Sequence, residues 1–261
     1  LTKAVGDAHA AADKVVAEAG GMDEHKSRTP ESLHRSIDAY LARHAAEEME
    51  TLTTTEGKPA VELHFNVPLG RVEGIGDVTY CGYIDRAVKF QETPYVLDHK
   101  TTGQSISTEK GSASYFGSFT PDIQFTGYCF GARKAFGFPV RGVILDAMQI
   151  AKTKVEFARN VIHRTPAQVE EWRQSALTTI KQITGYAQGG KEPKAEDYPM
   201  NTKACHSRYG ACTYASICGR DPAVRHKFLE TDFEIKLWNP LQPRNSGTIA
   251  DTGQDDAASD D

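Results

Sequence analysis

From Val61 to Leu69 the chain alternates: Val61, Leu63, Phe65, Val67 and Leu69 are apolar, while Glu62, His64 and Asn66 between them are polar. A period of two places one set on each side of an extended strand, whereas a helix would scatter them around its axis. This segment must therefore lie in a sheet with one face against a core. Two further strands follow. Val78 to Phe90 comes after a turn predicted at Gly70 to Gly76, and Tyr95 to Lys100 comes after the link Gln91-Glu92-Thr93-Pro94. Val140 to Ile150 reads as a fourth strand.

Helical periods flank these strands. Val5, His9, Ala12 and Val16 form one stripe, on a helix from Ala4 to Ala19 that Gly20-Gly21 ends. Leu33, Ile37, Leu41 and Ala45 form a second, from the start signal Thr29-Pro30-Glu31 to about Met49. A helix is predicted from Pro121 to Phe136, and a long one after Thr165-Pro166 that stops at Gly189-Gly190. The Gly- and Ser-rich stretch from Thr102 to Thr120 reads as a mobile loop. Helices interleaved with strands in this order predict an α/β fold with a mixed central sheet.

Within the third strand, Asp98 and Lys100 share a face and His99 points to the other. Asp85, thirteen residues earlier, sits in the largely apolar strand Gly82-Tyr83-Ile84-Asp85-Arg86. A carboxylate there is costly unless paired or metal-bound. An ion pair with Arg86 is the plain alternative. Two acids and an amine on neighbouring strands can hold a divalent metal and orient a water, the equipment for cleaving a phosphodiester. Glu62 lies on the polar side of the preceding strand, where most acids are simply solvated. Gln124 and Tyr128 are four apart and share a helix face. Arg133 and Lys134 follow them, as phosphate contacts or as solvated surface charge.

The net charge of −5 would disfavour a nucleic-acid partner were it spread over the body. Five acids, Asp251, Asp255, Asp256, Asp260 and Asp261, stand in the last stretch, which contains no Lys or Arg after Arg244. Residues 246–261 therefore read as an acidic disordered tail, leaving a neutral body. No apolar run approaches the ~20 residues of a membrane span. With no leader pattern at the start, a cytoplasmic protein is expected. The chain enters a helix almost directly from Leu1, and an upstream segment is expected.

Gly6-x-x-His9, Gly82-x-x-Asp85, Asp98-x-Lys100 and Gln124-x-x-x-Tyr128, in this order, resemble the RecB-like nucleases of the PD-(D/E)XK superfamily. That group includes the nuclease domains of RecB and AddB, CRISPR-associated adaptation nucleases and phage exonucleases. Asp85 follows Ile84, so the literal Pro-Asp pair is absent. The resemblance implies a restriction-endonuclease-like α-β-β-β-α-β core over residues 1–200. It implies that His9, Asp85, Asp98 and the backbone carbonyl of His99 hold Mg²⁺ or Mn²⁺. Lys100 would position the attacking water, Glu62 would be an auxiliary catalytic acid, and Gln124 and Tyr128 would line the DNA. The implied activity is metal-dependent hydrolysis of DNA, as an exonuclease on single strands or duplex ends, in recombination, repair or phage DNA processing. A recombination or helicase partner fits that role. The alternative is a catalytically silent DNA-binding module of the same fold.

Cys205, Cys212 and Cys218 cluster in a segment expected to span 201–220, apart from Cys81 and Cys129 in the core strands and helices. An odd count argues against a disulfide framework. Free buried thiols are one reading, and zinc with His206 as a fourth ligand is another. The resemblance implies a third, a [4Fe-4S] cluster on these three cysteines with its fourth cysteine upstream of Leu1.

Overall fold

The computed structural model describes residues 2–18, 20–21, 29–106, 112–120, 122–151, 154–186, 201–207, 210–235 and 239–243. The acidic tail, Pro121 and Gly189-Gly190 lie outside the described residues. The described residues divide into two compact units within one long helix: those up to 179 with 240–243, and those from 180 to 239.

The first unit is built on a six-stranded mixed sheet. Its strands are β1 (Met49–Thr51), β2 (Val61–Val72), β3 (Gly76–Phe90), β4 (Thr93–Thr102), β5 (Gly142–Ile150) and β6 (Val155–His163). The path runs β1-β3-β4-β5-β6, with β2 also on β3. The β4–β5 pair is parallel and the others are antiparallel. β1 and β2 follow one another along the same edge of β3, opposite Val88–Phe90 and Gly76–Arg86 respectively.

The alternation of β2 is realised from Phe65 onward, with Phe65, Val67 and Leu69 buried, while Val61 at the start of the strand is exposed. The turn after it is tighter than predicted, because β2 runs on to Val72 and β3 begins at Gly76. The β3–β4 link is only Gln91-Glu92, both at positive φ (47° and 59°), between the paired Phe90 and Thr93. That is a two-residue hairpin turn of the kind that normally takes Asn-Gly.

Helices α1 (Thr2–Glu18) and α2 (Pro30–His44) lie against each other, and α2 reaches β6. α2 ends at His44 rather than near Met49, which begins β1 instead. Ser32 and Ser36 are its buried residues, so small polar residues, not the Leu33 stripe, make its closest approach. Thr29 caps it through a reciprocal bond with Ser32. On the other face of the sheet, α4 (Ile123–Phe136) lies against β2, β3, β4 and β5. Asp122 caps α4, accepting from the amides of Gln124 and Phe125. Gly127 and Gly131 let it settle closely: a Cβ on Gly127 would stand 2.2 Å from Tyr80 Oη, and one on Gly131 would stand 2.7 Å from the Phe65 ring.

The predicted loop from Thr102 to Thr120 contains a short helix, α3 (Ser112–Gly117), whose Tyr115 is buried and meets Phe119 edge-on. β6 was not foreseen because its apolar residues do not alternate cleanly; pairing with β5 along all nine residues creates it. The helix α5 (Pro166–Gly185) packs Trp172 on Tyr80 and Phe130.

The second unit holds the end of α5, the hairpin β7 (His206–Ser207) and β8 (Gly210–Ala211), α6 (Ala215–Cys218) and α7 (Pro222–Asp232). Sequence periodicity had not indicated α7. Tyr214 stacks on Phe233 at 5.0 Å between ring centres.

Candidate active site

β3 and β4 pair only from Phe90↔Thr93 to Arg86↔Leu97. The next positions are Asp85 and Asp98, so both acids stand where the two strands part. With no ladder partner on β3, the His99 amide donates to Asp85 Oδ2 at 2.9 Å. Arg86 does not pair with Asp85; its guanidinium donates through Nε to Thr51 Oγ1 at 2.8 Å.

Asp98 is buried, with 1% of its side chain exposed, under Lys100. The Lys100 ammonium donates to Asp98 Oδ1 at 2.9 Å and lies 2.7 Å from Oδ2. Burial raises the Asp98 carboxyl above its ordinary range; Lys100 pulls it down and the nearby Asp85 charge adds to the rise. Lys100 also sits over the fully buried Phe125 ring, 5.9 Å from its centre.

The expected pairing on α4 is present: Gln124 Nε2 donates to Tyr128 Oη at 3.0 Å. Burial, and then the charges of Asp98 and Asp85, push the Tyr128 phenol above its ordinary range. Tyr128 therefore shares the electrostatic environment of both acids. Glu62 is exposed and falls between the paired positions Val61↔Arg86 and Leu63↔Ile84, that is, opposite Asp85. Its φ of 49° is rare outside glycine and costs about 1–3 kcal/mol, a strain typical of functional positions.

His9 is placed elsewhere. Its Nε2 lies 2.8 Å from Asp38 on α2, and its ring stacks on His34 at 4.1 Å. Among the described residues, no three His, Cys, Asp or Glu side chains form a group able to hold a metal ion. The oxygen donors that do stand together are the carboxylates of Asp85 and Asp98 beside the His99 backbone. Two carboxylates and a backbone carbonyl at one gap form a set of hard oxygen donors, and an all-oxygen set suits Mg²⁺ or Mn²⁺.

Arg133 is not a free phosphate contact. It donates through Nε and Nη2 to Val140 O and through Nη2 to Arg164 O, tying α4 to the strand ends. Cys205, Cys212 and Cys218 are free thiols, and the Cys212 amide donates to Cys205 O at 2.8 Å. Among the described residues, no three of these thiols stand together as a ligand group.

The sequence model of the PD-(D/E)XK nuclease superfamily matches residues 2–219. The chain belongs to the PD-(D/E)XK nuclease superfamily. The mixed sheet flanked by helices is consistent with the restriction-endonuclease-like fold of PD-(D/E)XK proteins, which are nucleases that typically use divalent metals. A solved structure described as "Crystal structure of SSO0001" aligns at 14% identity with a TM-score of 0.30, covering 56% of this chain and 57% of that chain. The aligned region is thus little more than half the length of that protein. Comparison with curated proteins gave no match. No helix among the described residues of this PD-(D/E)XK chain is long and apolar enough to cross a membrane.

Three participants around the PD-(D/E)XK site were not singled out from sequence: Phe125, Asp146 and Arg159. Asp146 carried a readable signal, an acid between the apolar stretches Val143-Ile144-Leu145 and Ala147-Met148, the same oddity that drew attention to Asp85.

Proposed function

We propose that this chain is a metal-dependent DNA nuclease that hydrolyses phosphodiester bonds, acting as an exonuclease on single strands or duplex ends. The observation that carries the reading is the parting of β3 and β4, which leaves Asp85 on the His99 amide beside the Asp98–Lys100 pair. Asp85, Asp98 and the His99 carbonyl would hold Mg²⁺ or Mn²⁺. A bound divalent ion supplies charge for the scissile phosphate and lowers the pKa of a bound water.

The chain's own groups account for the remainder. Lys100 is paired with an acid yet 30% exposed, so its ammonium can orient the water and meet the negative charge that grows on the phosphorus oxygens. Gln124 and Tyr128, bonded to each other on the first turns of α4, offer donors to the DNA beside the acids. Glu62, across from Asp85, is assigned as an auxiliary acid. His9 would join the ligand set only by leaving Asp38.

Labelled linear and circular DNA, single- and double-stranded, incubated with Mn²⁺ or Mg²⁺ and with EDTA, tests this. Metal-dependent shortening of linear DNA alone is expected. Cutting of circles would keep the nuclease and remove the exonuclease mode. Binding without products would make the chain a silent binding module. An iron–sulfur staple on Cys205, Cys212 and Cys218 is a separate proposal that rests on the resemblance to RecB-like nucleases; iron and sulfide analysis of anaerobically purified protein tests it.

A further inference from the structure

On the face of β4 opposite Asp98 and Lys100, three side chains stand in line across three strands. The register places His99 beside Asp146 and Asp146 beside Arg159. Asp146 is 3% exposed, and its carboxylate is saturated. His99 Nδ1 lies 3.1 Å from Oδ2, Tyr40 Oη donates to Oδ2 at 3.1 Å, and Arg159 donates through Nε to Oδ1 at 2.7 Å and through Nη2 to Oδ2 at 3.2 Å. Arg159 is in turn paired with Glu47. Burial alone would raise the Asp146 carboxyl, but the bonds from His99 and Arg159 hold it well below the carboxylate range.

Such a network gains little stability over an apolar one of the same shape, so its position calls for a reason. On the opposite face, the β5 neighbours of Asp98 and Lys100 are Leu145 and Ala147, which offer no polar anchor. β3 has left β4 after the Arg86↔Leu97 pair. From Asp98 onward, β4 is held by β5 and by the Asp85 carboxylate. His99 is the residue whose side chain meets Asp146 on one side while its backbone meets Asp85.

We propose that Asp146 is a positioning residue of the nuclease site: by gripping the His99 imidazole it sets the β4 backbone that holds Asp85 and aims Asp98 and Lys100. This rests on the nuclease reading above. Residues that orient a metal-site ligand from behind typically matter by about 10–100-fold in activity or metal affinity. Rotation of the β4 backbone would disturb ligand geometry and the Lys100 position, and would leave the DNA surface of α4 alone. The signature is therefore a fall in kcat with KM unchanged.

The test compares wild type and Asp146→Asn in Mn²⁺-dependent cleavage of linear DNA, per folded molecule by circular dichroism, with calorimetric Mn²⁺ binding alongside. The expected result is a kcat lower by about tenfold or more, KM for DNA within about twofold, and weaker Mn²⁺ binding. Wild-type kcat and Mn²⁺ affinity in the folded variant would overturn the proposal and leave the nuclease reading intact. Should Asp146→Asn fail to fold, Asp146→Glu, which keeps the charge and moves it by one methylene, carries the same test. A wild type that cleaves no DNA overturns the nuclease reading and this proposal with it.

Discussion

The backbone amide of His99 donates to the Asp85 carboxylate at 2.9 Å across the gap where β3 and β4 cease to pair. A sheet that continued would have satisfied that amide with a carbonyl. Here an acid takes the carbonyl's place, so the geometry of the site is written into the hydrogen-bond accounting of the strands. Asp98 is the next residue on the same gap, and Lys100 covers it.

Removing the ammonium should therefore cost stability as well as activity. Lys100→Ala leaves the buried Asp98 carboxyl without its charged partner, a loss of about 1–3 kcal/mol. The double variant Asp98→Asn/Lys100→Ala should recover most of it, because no unpaired charge remains. Denaturant melts at neutral pH check this; equal stability of wild type and Lys100→Ala would show that the pair does not hold the buried acid.

The Gln91-Glu92 turn is a second place where the chain departs from what the backbone favours. Both residues have positive φ, where Asn and Gly are far better suited. Gln91→Asn/Glu92→Gly should stabilise the fold by about 1 kcal/mol, with cleavage unaffected. The lost Glu92–Lys89 pair at 3.5 Å is largely exposed and worth little. Thermal melts that show no gain, or a loss, would contradict the turn geometry.

How much of this was readable in advance depends on where the information lies. The β2 strand declared itself because its alternation is local, and the Asp98-His99-Lys100 triplet did so because strand geometry alone separates its faces. β6 and the Asp146 network did not, since both exist only through pairing with β5: Arg159 acquires its partner from a strand thirteen residues earlier, and Tyr40 from one 106 residues later. His9 shows the converse. Its helical stripe was legible, but the local pattern could not reveal that Asp38 and His34 would be its neighbours. Arg133 likewise looked like surface charge until the carbonyls of Val140 and Arg164 came within its reach.

Acid titration offers a check on the α5 surface. Hydrogen bonds from Arg173 and then Gln174 lower the Glu170 carboxyl from an ordinary 4.5 to about 2. A depressed folded pKa contributes stability above pH 4.5 that fades as pH falls toward 2. Glu170 is solvent-exposed, so the effect is small and screened by salt. The stability of Glu170→Gln should lie slightly below wild type at pH 7 and converge with it near pH 2. A gap that persists at pH 2 would mean that the Arg173 bond is not its source.

Asp98 and Lys100, set beside Asp85, are proposed to cut DNA with the help of a divalent metal. The most direct measurement is the Mn²⁺-dependent cleavage rate of end-labelled linear DNA by wild type and by Asp98→Asn, with both proteins shown to be folded. Cleavage by wild type that EDTA abolishes is expected, with a loss of about 100-fold or more in Asp98→Asn. A folded Asp98→Asn that cleaves at the wild-type rate would contradict it.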